Sequence, residues 1–258
     1  MKVKYNIDIV SGHSKWSNIK RKKEANDKQK GNIFGKLSRL ITLAVIEGGG
    51  ITNPENNVKL RLVIDKARVE NMPKSNIERA IEKGAGPDKT LISEVVYEGF
   101  GPAGIGLMIL ATTDNSNRTL SEIRNILERN GGKLANKGAV GYLFKKCGVV
   151  NFLRTKNSEE KVLQFSEKIQ AFDIEEDDSY FTVYLPFEFL GKVKDNLGDL
   201  QAEPAELDYK PTSMIEIVNR EKVKKIFNLI NSLEELDDVH KIFSNFTVPT
   251  ALINESLN

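Results

Sequence analysis

A polar segment near the start of the chain precedes a stretch with a helical period of apolar residues. Residues 11–31 show no apolar periodicity, which predicts an extended arm. Apolar side chains then recur at three- and four-residue steps from Ile33 to Val45, as in an amphipathic helix. This pattern stops at the glycines at 48–50, where the helix is expected to end.

Two more helices are predicted before residue 87. Asn53, followed by a proline suited to a first helical turn, precedes an apolar series that runs toward Asn71. Pro73 opens the next helix and Gly84 closes it. Residues 11–86 therefore predict a three-helix domain.

Strand-like patterns begin after residue 87. Strands are predicted at 94–97 and 105–112, joined by the Gly- and Pro-rich turn GFGPAG, and a helix is predicted from about 117 to 130. The segment from 149 to 207 then shows the β-α-β-β-α-β order of a ferredoxin-like domain.

The C-terminal elements are expected to complete the sheet that begins at Glu94. They are a strand at 214–218, a helix from Asn219 and an apolar stretch at 239–248. On this interpretation the ferredoxin-like domain is an insertion, and the alternative is sequential packing of the domains.

The predicted fold class is α+β, with an N-terminal three-helix domain followed by two α/β domains, the third ferredoxin-like and inserted in the second. The predicted boundaries are 11–90 for the basic helical domain, 91–146 plus 211–258 for the α/β domain, and 147–210 for the ferredoxin-like domain.

Composition argues against several classes of protein. The single cysteine, Cys147, cannot form an intramolecular disulfide, and His13 and His240 lack neighbours at metal-ligand spacing. With no visible nucleophile–base pair either, we predict a non-enzymatic protein without metal or other cofactor. No apolar run reaches the roughly 18 residues of a membrane span, so we expect a cytoplasmic protein without membrane or small-molecule partners.

Charge is distributed unevenly along the chain although the net charge is only +2. Residues 1–90 carry 19 Lys+Arg against 10 Asp+Glu, a net of +9, which leaves 19 against 26, a net of −7, for residues 91–258. Such a chain can place cations on phosphates while its acidic part repels the same polyanion. The alternative, that the domains drifted in charge independently, explains the acidic part better than the basic one.

The chemistry of the arm suits nucleic acid. Its lysines and arginine can pair with phosphates, and the chain's only tryptophan, Trp16, can stack on an unpaired base together with His13. The alternative is that Trp16 anchors the arm to the helical domain and the cations are solvated. The cations predicted to contact nucleic acid are Lys15, Lys20, Arg21, Lys22, Lys23, Lys28 and Lys30.

Two other patterns are interpreted as structural. GFGPAG matches a dinucleotide-binding expression, yet a strand-like run follows it where a phosphate-binding helix is required, which favours a hairpin loop. The acidic run at 175–178 falls in a predicted hairpin and lacks the glycine spacing of a calcium loop, which favours a solvated turn.

Four ordered blocks of residues resemble the YebC/PmpR family, to which the mitochondrial translational activators of cytochrome oxidase also belong. The blocks are GHSKWSNIK from Gly12, NMPKSNIERAIEKGAG from Asn71, YEGFGPAGIG with TDNSNRTLSEIR between Tyr97 and Arg124, and NGGKLANKGAVGYLF from Asn130. The resemblance spans nearly the whole chain and implies three domains and no catalysis.

The same resemblance implies two groups of contact residues. The matched arm supplies Lys15, Trp16, Asn18 and Lys20 as nucleic-acid contacts. A second matched segment is predicted as a further site formed by Asp114, Asn115, Asn117 and Thr119, with Arg118 as another nucleic-acid contact.

Helix geometry gives this second segment a structural interpretation as well. Asn117 is expected to cap the helix, which places Arg118 in the first turn, where the helix dipole disfavours a cation. We therefore expect Arg118 to have an external anion or a local carboxylate as its partner, and the structural alternative is a pair with Asp114 or Glu122.

Residues 1–10 are predicted to be a spurious extension. The family's first block normally follows an initiating methionine directly, and Val10 here is compatible with a GTG start codon. The alternative is a genuine extension whose alternating Val3, Tyr5, Ile7 and Ile9 form an edge strand.

The predicted function is regulation of gene expression through nucleic-acid binding. The resemblance implies a DNA-binding transcriptional regulator, or alternatively a factor associated with the ribosome and its RNA that aids translation, including through proline-rich stretches. A basic arm with one stacking aromatic fits irregular RNA better than duplex readout, for which a helix-turn-helix pair would be expected.

Overall fold

The computed structural model describes residues 5–6, 27–86, 92–249 and 252–253, and the chain divides into two compact units. One unit comprises Met1–Val10 and Phe144–Lys210, and the other comprises Ser11–Leu143 and Pro211–Asn258. The helices are α1 (Asp27–Glu47), α2 (Val58–Val69), α3 (Lys74–Ala85), α4 (Ser116–Arg129), α5 (Glu159–Lys168), α6 (Val193–Asn196) and α7 (Arg220–Glu234). The strands are β1 (Tyr5–Asn6), β2 (Ser93–Phe100), β3 (Gly106–Thr113), β4 (Lys133–Ala135), β5 (Phe144–Leu153), β6 (Asp173–Glu176), β7 (Tyr180–Pro186), β8 (Glu206–Pro211), β9 (Ile215–Glu216), β10 (Val239–Ser244) and β11 (Phe246–Thr247). A helical region followed by α/β regions confirms the predicted fold class.

Helices α1, α2 and α3 form the predicted three-helix region around a shared apolar core. Leu37 and Ile41 of α1, Leu60 and Ile64 of α2 and Ile77 of α3 are all buried in it. The apolar residues on one face of each helix meet in this core, which is the main source of helix stability in a folded protein.

Helix α1 begins at Asp27, before the apolar periodicity on which its prediction rested. Lys and Gln are good helix formers, so a polar stretch can extend a helix beyond its apolar pattern. Helix α3 likewise continues past Gly84, which is buried against α1: a Cβ atom at Gly84 would lie 2.7 Å from the carbonyl oxygen of Thr42. The close approach of the two helices explains the glycine.

The cap predicted at Asn53 belongs to a different element. Asn53 accepts a hydrogen bond from the backbone N–H of Glu55 (3.0 Å) and caps a short 3-10 helix, Pro54–Asn56. Helix α2 is capped by Asn57, which accepts from the N–H of Leu60 at 3.0 Å. Two consecutive Asn-based turns therefore replace the single helix start that was predicted.

The sheet of the second region has the strand order β10-β3-β2-β4 and is antiparallel throughout. Strand β10 pairs with β3, so the chain beyond residue 210 completes the sheet that begins with β2, as predicted. Helices α4 and α7 bury their apolar sides in its core, through residues such as Ile123, Leu127, Phe227 and Ile230.

The segment between residues 144 and 211 has the ferredoxin-like topology. Its strands follow the order β6-β7-β5-β8, with α5 between β5 and β6. The second connection is a 3-10 helix, Phe187–Lys192, followed by the single turn of α6, where a longer helix was predicted. Strand β1 pairs in parallel with β6, with Tyr5 opposite Ile174. That residues 1–10 are a spurious extension stays a prediction.

GFGPAG forms the hairpin loop between β2 and β3, as predicted. Ala103 and Gly104 adopt positive φ angles of 63° and 77°, and strand β3 follows directly. No helix N-terminus is therefore available to a phosphate at these glycines.

The acidic run at 175–178 is only partly the solvated turn that was predicted. Glu175 is buried in β6 and pairs with Lys210, and the hydroxyl of Tyr184 donates to it at 3.1 Å. Asp177 closes the turn by accepting hydrogen bonds from the backbone N–H groups of Ser179 and Tyr180. The cluster is thus a buried strand residue paired with Lys210, whose side chain is 14% exposed, followed by a turn.

Candidate nucleic-acid interface

Most of the predicted nucleic-acid contacts precede α1. Lys28 and Lys30 lie in the first turn of α1, so the last residues of the predicted arm, 27–31, are helical and not extended. The contacts that lie outside the described residues are His13, Lys15, Trp16, Asn18, Lys20, Arg21, Lys22 and Lys23. Their assignment stays a prediction, and the structure adds the contacts that hold the helix to which they are joined.

Helix α1 is docked against the C-terminal end of α7 and the segment that follows it. Three of its side chains donate hydrogen bonds to backbone carbonyl oxygens there: Asn32 to Glu235, Lys36 to Glu234, and Arg39 to Asp237. The last carbonyl groups of a helix lack intrahelical partners and carry the negative end of its dipole, so cations are favourable at this position. These contacts hold α1 against the C-terminal end of α7 and the residues that follow it.

A buried carboxylate, Asp238, connects this docking site to α4. It accepts hydrogen bonds from the hydroxyls of Thr119 (2.7 Å) and Thr113 (3.0 Å) and from the guanidinium groups of Arg118 (2.8 Å) and Arg39 (3.3 Å). Burial raises the pKa of Asp238, but the hydrogen bonds from Arg118 and the two threonines outweigh it and leave the pKa below its usual value. We call these five residues the Asp238 network.

Arg118 has local carboxylates as partners. Its Nη2 lies 3.0 Å from a carboxylate oxygen of Asp114, so the predicted pair with Asp114 is present. The second partner is Asp238, at 2.8 Å, and not the predicted alternative Glu122. The side chain of Arg118 is 46% exposed. A phosphate could therefore reach this guanidinium only alongside two carboxylates that already bind it.

The second predicted site contains residues with structural roles. Asn115, and not Asn117, caps α4: its side chain accepts from the backbone N–H of Arg118 at 3.1 Å. Thr119 is fully buried and its hydroxyl is bound within the Asp238 network. Asp114 and Asn117 remain exposed at the surface of the α4 N-terminus.

His240 is largely buried near the same docking site, with 11% of its side chain exposed. Thr112 Oγ1 lies 3.2 Å from its Nδ1, and Glu94 Oε2 lies 3.9 Å from its Nε2. Burial lowers the pKa of His240 to about 3, and nearby positive charge contributes in the same direction. The contributing cations are Lys66, Lys241, Lys59 and Lys36.

This lowered pKa predicts a loss of stability in acid. The unfolded chain protonates His240 near pH 6.5, whereas the folded chain does so only near pH 3, so stability falls as the pH drops below 6.5. Between pH 7 and pH 5 we expect the free energy of unfolding to decrease by about 2 kcal/mol through this residue. Denaturant unfolding of the wild type and of His240→Gln at both pH values measures the difference. An identical pH dependence in the two proteins would show that His240 is not buried in its neutral form.

Neither a metal site nor a membrane span is found among the described residues. In that part of the chain, no three His, Cys, Asp or Glu side chains are grouped so that they could hold a metal ion. None of the described helices is long and apolar enough to cross a membrane.

Comparison with known proteins covers almost the entire chain. A family model described as the TACO1/YebC protein N-terminal domain matches residues 14–87, and one described as the TACO1/YebC second and third domain matches residues 92–246. Two curated relatives, from Aquifex aeolicus and Fusobacterium nucleatum, are 41% and 40% identical over 249 residues, covering 95% of this chain and 99% of theirs. Both are named probable transcriptional regulatory proteins.

A solved structure has the same fold. The crystal structure of a conserved hypothetical protein from Aquifex aeolicus superposes with a TM-score of 0.79 at 41% identity. The match covers 86% of this chain and 92% of that one.

Proposed function

The chain belongs to the TACO1/YebC family, and we propose that it is a non-enzymatic cytoplasmic regulator of gene expression that binds nucleic acid through its basic arm. The observation that carries this proposal is the charge pattern: between Lys15 and Lys30 there are seven Lys+Arg and two acids, on a chain whose residues 91–258 are net negative. Phosphates are bound by such clusters with release of counterions, and the net negative charge of residues 91–258 makes the basic segment the main electrostatic contact.

Two features support the proposal further. The names of the curated relatives describe regulators of transcription. In addition, α1 follows the basic segment in the chain and is held in place by its contacts with the segment after α7. The basic segment is therefore joined to a helix whose position in the second region is fixed.

Ribosomal RNA is the second candidate target, and the surface of α3 favours it. The exposed residues of α3 include Lys74, Arg79 and Lys83 but also Glu78 and Glu82, and Lys74 lies 3.5 Å from Glu78. A helix of nearly balanced charge is poorly suited to the major groove of duplex DNA. A cationic arm with one tryptophan suits unpaired RNA, where bases are free to stack.

Equilibrium binding at several salt concentrations tests the proposal. The probes are a duplex DNA of about 30 base pairs and a ribosomal RNA fragment of similar length with an internal loop. We expect measurable binding whose affinity falls steeply with salt, and tighter binding of the probe that represents the physiological target. Absence of salt-dependent binding to both probes would contradict the proposed function.

A further inference from the structure

The loop of residues 136–143 presents one aromatic side chain to solvent. Tyr142 is 74% exposed, the highest value among the large hydrophobic residues that the structure describes as exposed. It lies in a 3-10 turn, Gly141–Leu143, between β4 and β5. A large ring exposed to this extent marks a contact surface more often than a folding requirement.

A buried carboxylate accepts hydrogen bonds from the backbone of this loop. Glu98 of β2 is only 6% exposed, and its two carboxylate oxygens accept the backbone N–H groups of Gly138 (2.7 Å), Val140 (2.7 Å) and Gly141 (3.0 Å). Burial raises the pKa of Glu98, but these three hydrogen bonds and the charge of Lys137 outweigh it and lower the pKa. The carboxylate therefore stays ionised and fixes the backbone; we call residues 136–143 the Glu98-anchored loop.

The backbone on either side of Tyr142 is tied to the protein. Val140 is fully buried, and the carbonyl oxygen of Leu143 accepts the backbone N–H (2.8 Å) and the hydroxyl (3.0 Å) of Thr212. An aromatic ring on a fixed backbone loses little conformational entropy when it binds a partner. The loop thus has the form of a preorganised contact rather than a mobile connection.

The surroundings of Tyr142 favour a flat, anionic partner. Gly141 has no side chain and Leu143 is half-buried, so the residues next to Tyr142 in the chain add little exposed apolar surface to the ring. The exposed Lys137 lies in the same loop and supplies a positive charge. A nucleic acid offers planar bases for the ring and phosphates for the lysine.

We propose that Tyr142 stacks on an unpaired base, that Lys137 contacts a neighbouring phosphate, and that Glu98 is the positioning residue for both. This inference rests on the proposed function and assigns a second contact surface to it, separate from the arm. Stacking of one base on an aromatic side chain predicts that Tyr142→Ala raises the Kd for a single-stranded oligonucleotide roughly 5- to 150-fold.

The test measures that Kd by fluorescence anisotropy for the full-length protein and three variants. Tyr142→Ala should weaken binding, Tyr142→Phe should keep it because the ring remains, and Phe187→Ala should leave it unchanged as a control for loss of another exposed aromatic (40% exposed). Wild-type affinity in Tyr142→Ala, or equal weakening in Tyr142→Phe, would overturn the stacking contact. Wild-type affinity in Tyr142→Ala would indicate that the exposed ring of Tyr142 contacts a protein and not a nucleic acid.

Glu98→Gln separates positioning from general stability. If Glu98 acts by holding the loop, Glu98→Gln weakens binding in the wild type but adds nothing in a background that carries both Tyr142→Ala and Lys137→Ala. Equal losses in both backgrounds would overturn its positioning role. The Tyr142 variants remain a complete test of the stacking contact if Glu98→Gln does not fold.

A variant with alanine at Lys20, Arg21, Lys22 and Lys23, measured in the same assay, distinguishes this inference from the proposed function. If the wild type does not bind the oligonucleotide, the proposed function fails and the inference fails with it. If the wild type binds and the arm variant is weakened while Tyr142→Ala is not, only the second contact fails. Ultraviolet crosslinking should place a nucleotide adduct on the tryptic peptide 138–145, and its absence from that peptide would count against the contact.

Discussion

Asp238→Ala is expected to lower the melting temperature of the protein by roughly 6 to 12 °C, the equivalent of about 3 kcal/mol for a unit of this size. The substitution leaves the guanidinium groups of Arg39 and Arg118 and the buried hydroxyls of Thr113 and Thr119 without their common acceptor. Removing one partner from a buried, hydrogen-bonded charge cluster costs more than the cluster contributed, because the remaining polar groups stay desolvated.

Asp237→Ala is the matched control, since Asp237 is exposed and contributes its backbone carbonyl, which the substitution keeps, to Arg39. This variant should melt within about 2 °C of the wild type. Asp238→Asn, which keeps acceptor and donor atoms but loses the charge, should fall between the two. Equal melting temperatures for Asp238→Ala and Asp237→Ala would show that the network does not stabilise the fold.

Replacing Lys20, Arg21, Lys22 and Lys23 by alanine is expected to weaken nucleic-acid binding strongly and to flatten its salt dependence. For each phosphate that the variant no longer binds, the slope of log K against log salt should fall by roughly 0.7 to 0.9. The melting temperature should change little, because the arm shows no apolar periodicity with which to join a core. Binding isotherms at four or more salt concentrations give the slope.

The matched control removes four exposed lysines from the ferredoxin-like region instead: Lys156, Lys161, Lys168 and Lys194. It changes the net charge by the same amount, so a purely global charge effect would alter both proteins equally. We expect the control to keep the wild-type slope. A slope that is unchanged in the arm variant, or equally reduced in the control, would remove the arm from the interface.

The fold was predictable because apolar periodicity reports burial directly. The three N-terminal helices and the β2–β3 hairpin follow from where apolar residues recur. The apolar stretch at 239–248 indicated a further strand, and its pairing with β3 was one of the two arrangements that the sequence left open. Polar residues that adopt regular structure carry no such pattern. The start of α1 at Asp27 and the burial of Glu175 therefore differ from the prediction, the first through helix propensity and the second through pairing with Lys210.

Local chemistry at the α4 N-terminus was harder to predict than the helix itself. Asn115 and Asn117 are both good capping residues, and the choice depends on which one has extended backbone angles, here Asn115 at φ −144° and ψ 87°. Arg118 was expected to have a carboxylate partner, and Asp114 at four residues' distance was visible in the sequence. Asp238 was not, since its partners lie more than 100 residues away and only the fold brings them together.

The residues proposed to bind nucleic acid also differ in whether the sequence pattern or only the fold indicates them. The arm was recognisable because several cations and one tryptophan lie close together in the sequence. Tyr142 was not singled out, since one tyrosine in a Gly-containing loop has no distinguishing spacing. What marks it is the combination of its exposure with the three hydrogen bonds of Glu98 to the same loop, and Glu98 lies about 40 residues earlier in the chain.

Crosslinking the protein to nucleic acid in living cells, followed by sequencing of the bound DNA and RNA in parallel, tests the central claim most directly. The wild type is compared with the variant that lacks the four cations at 20–23. We predict enrichment of a defined set of sites in the wild type, promoter DNA for a transcriptional regulator or one region of ribosomal RNA for a translation factor, and loss of that enrichment in the variant. Recovery of neither nucleic acid above the level of the variant would contradict the account.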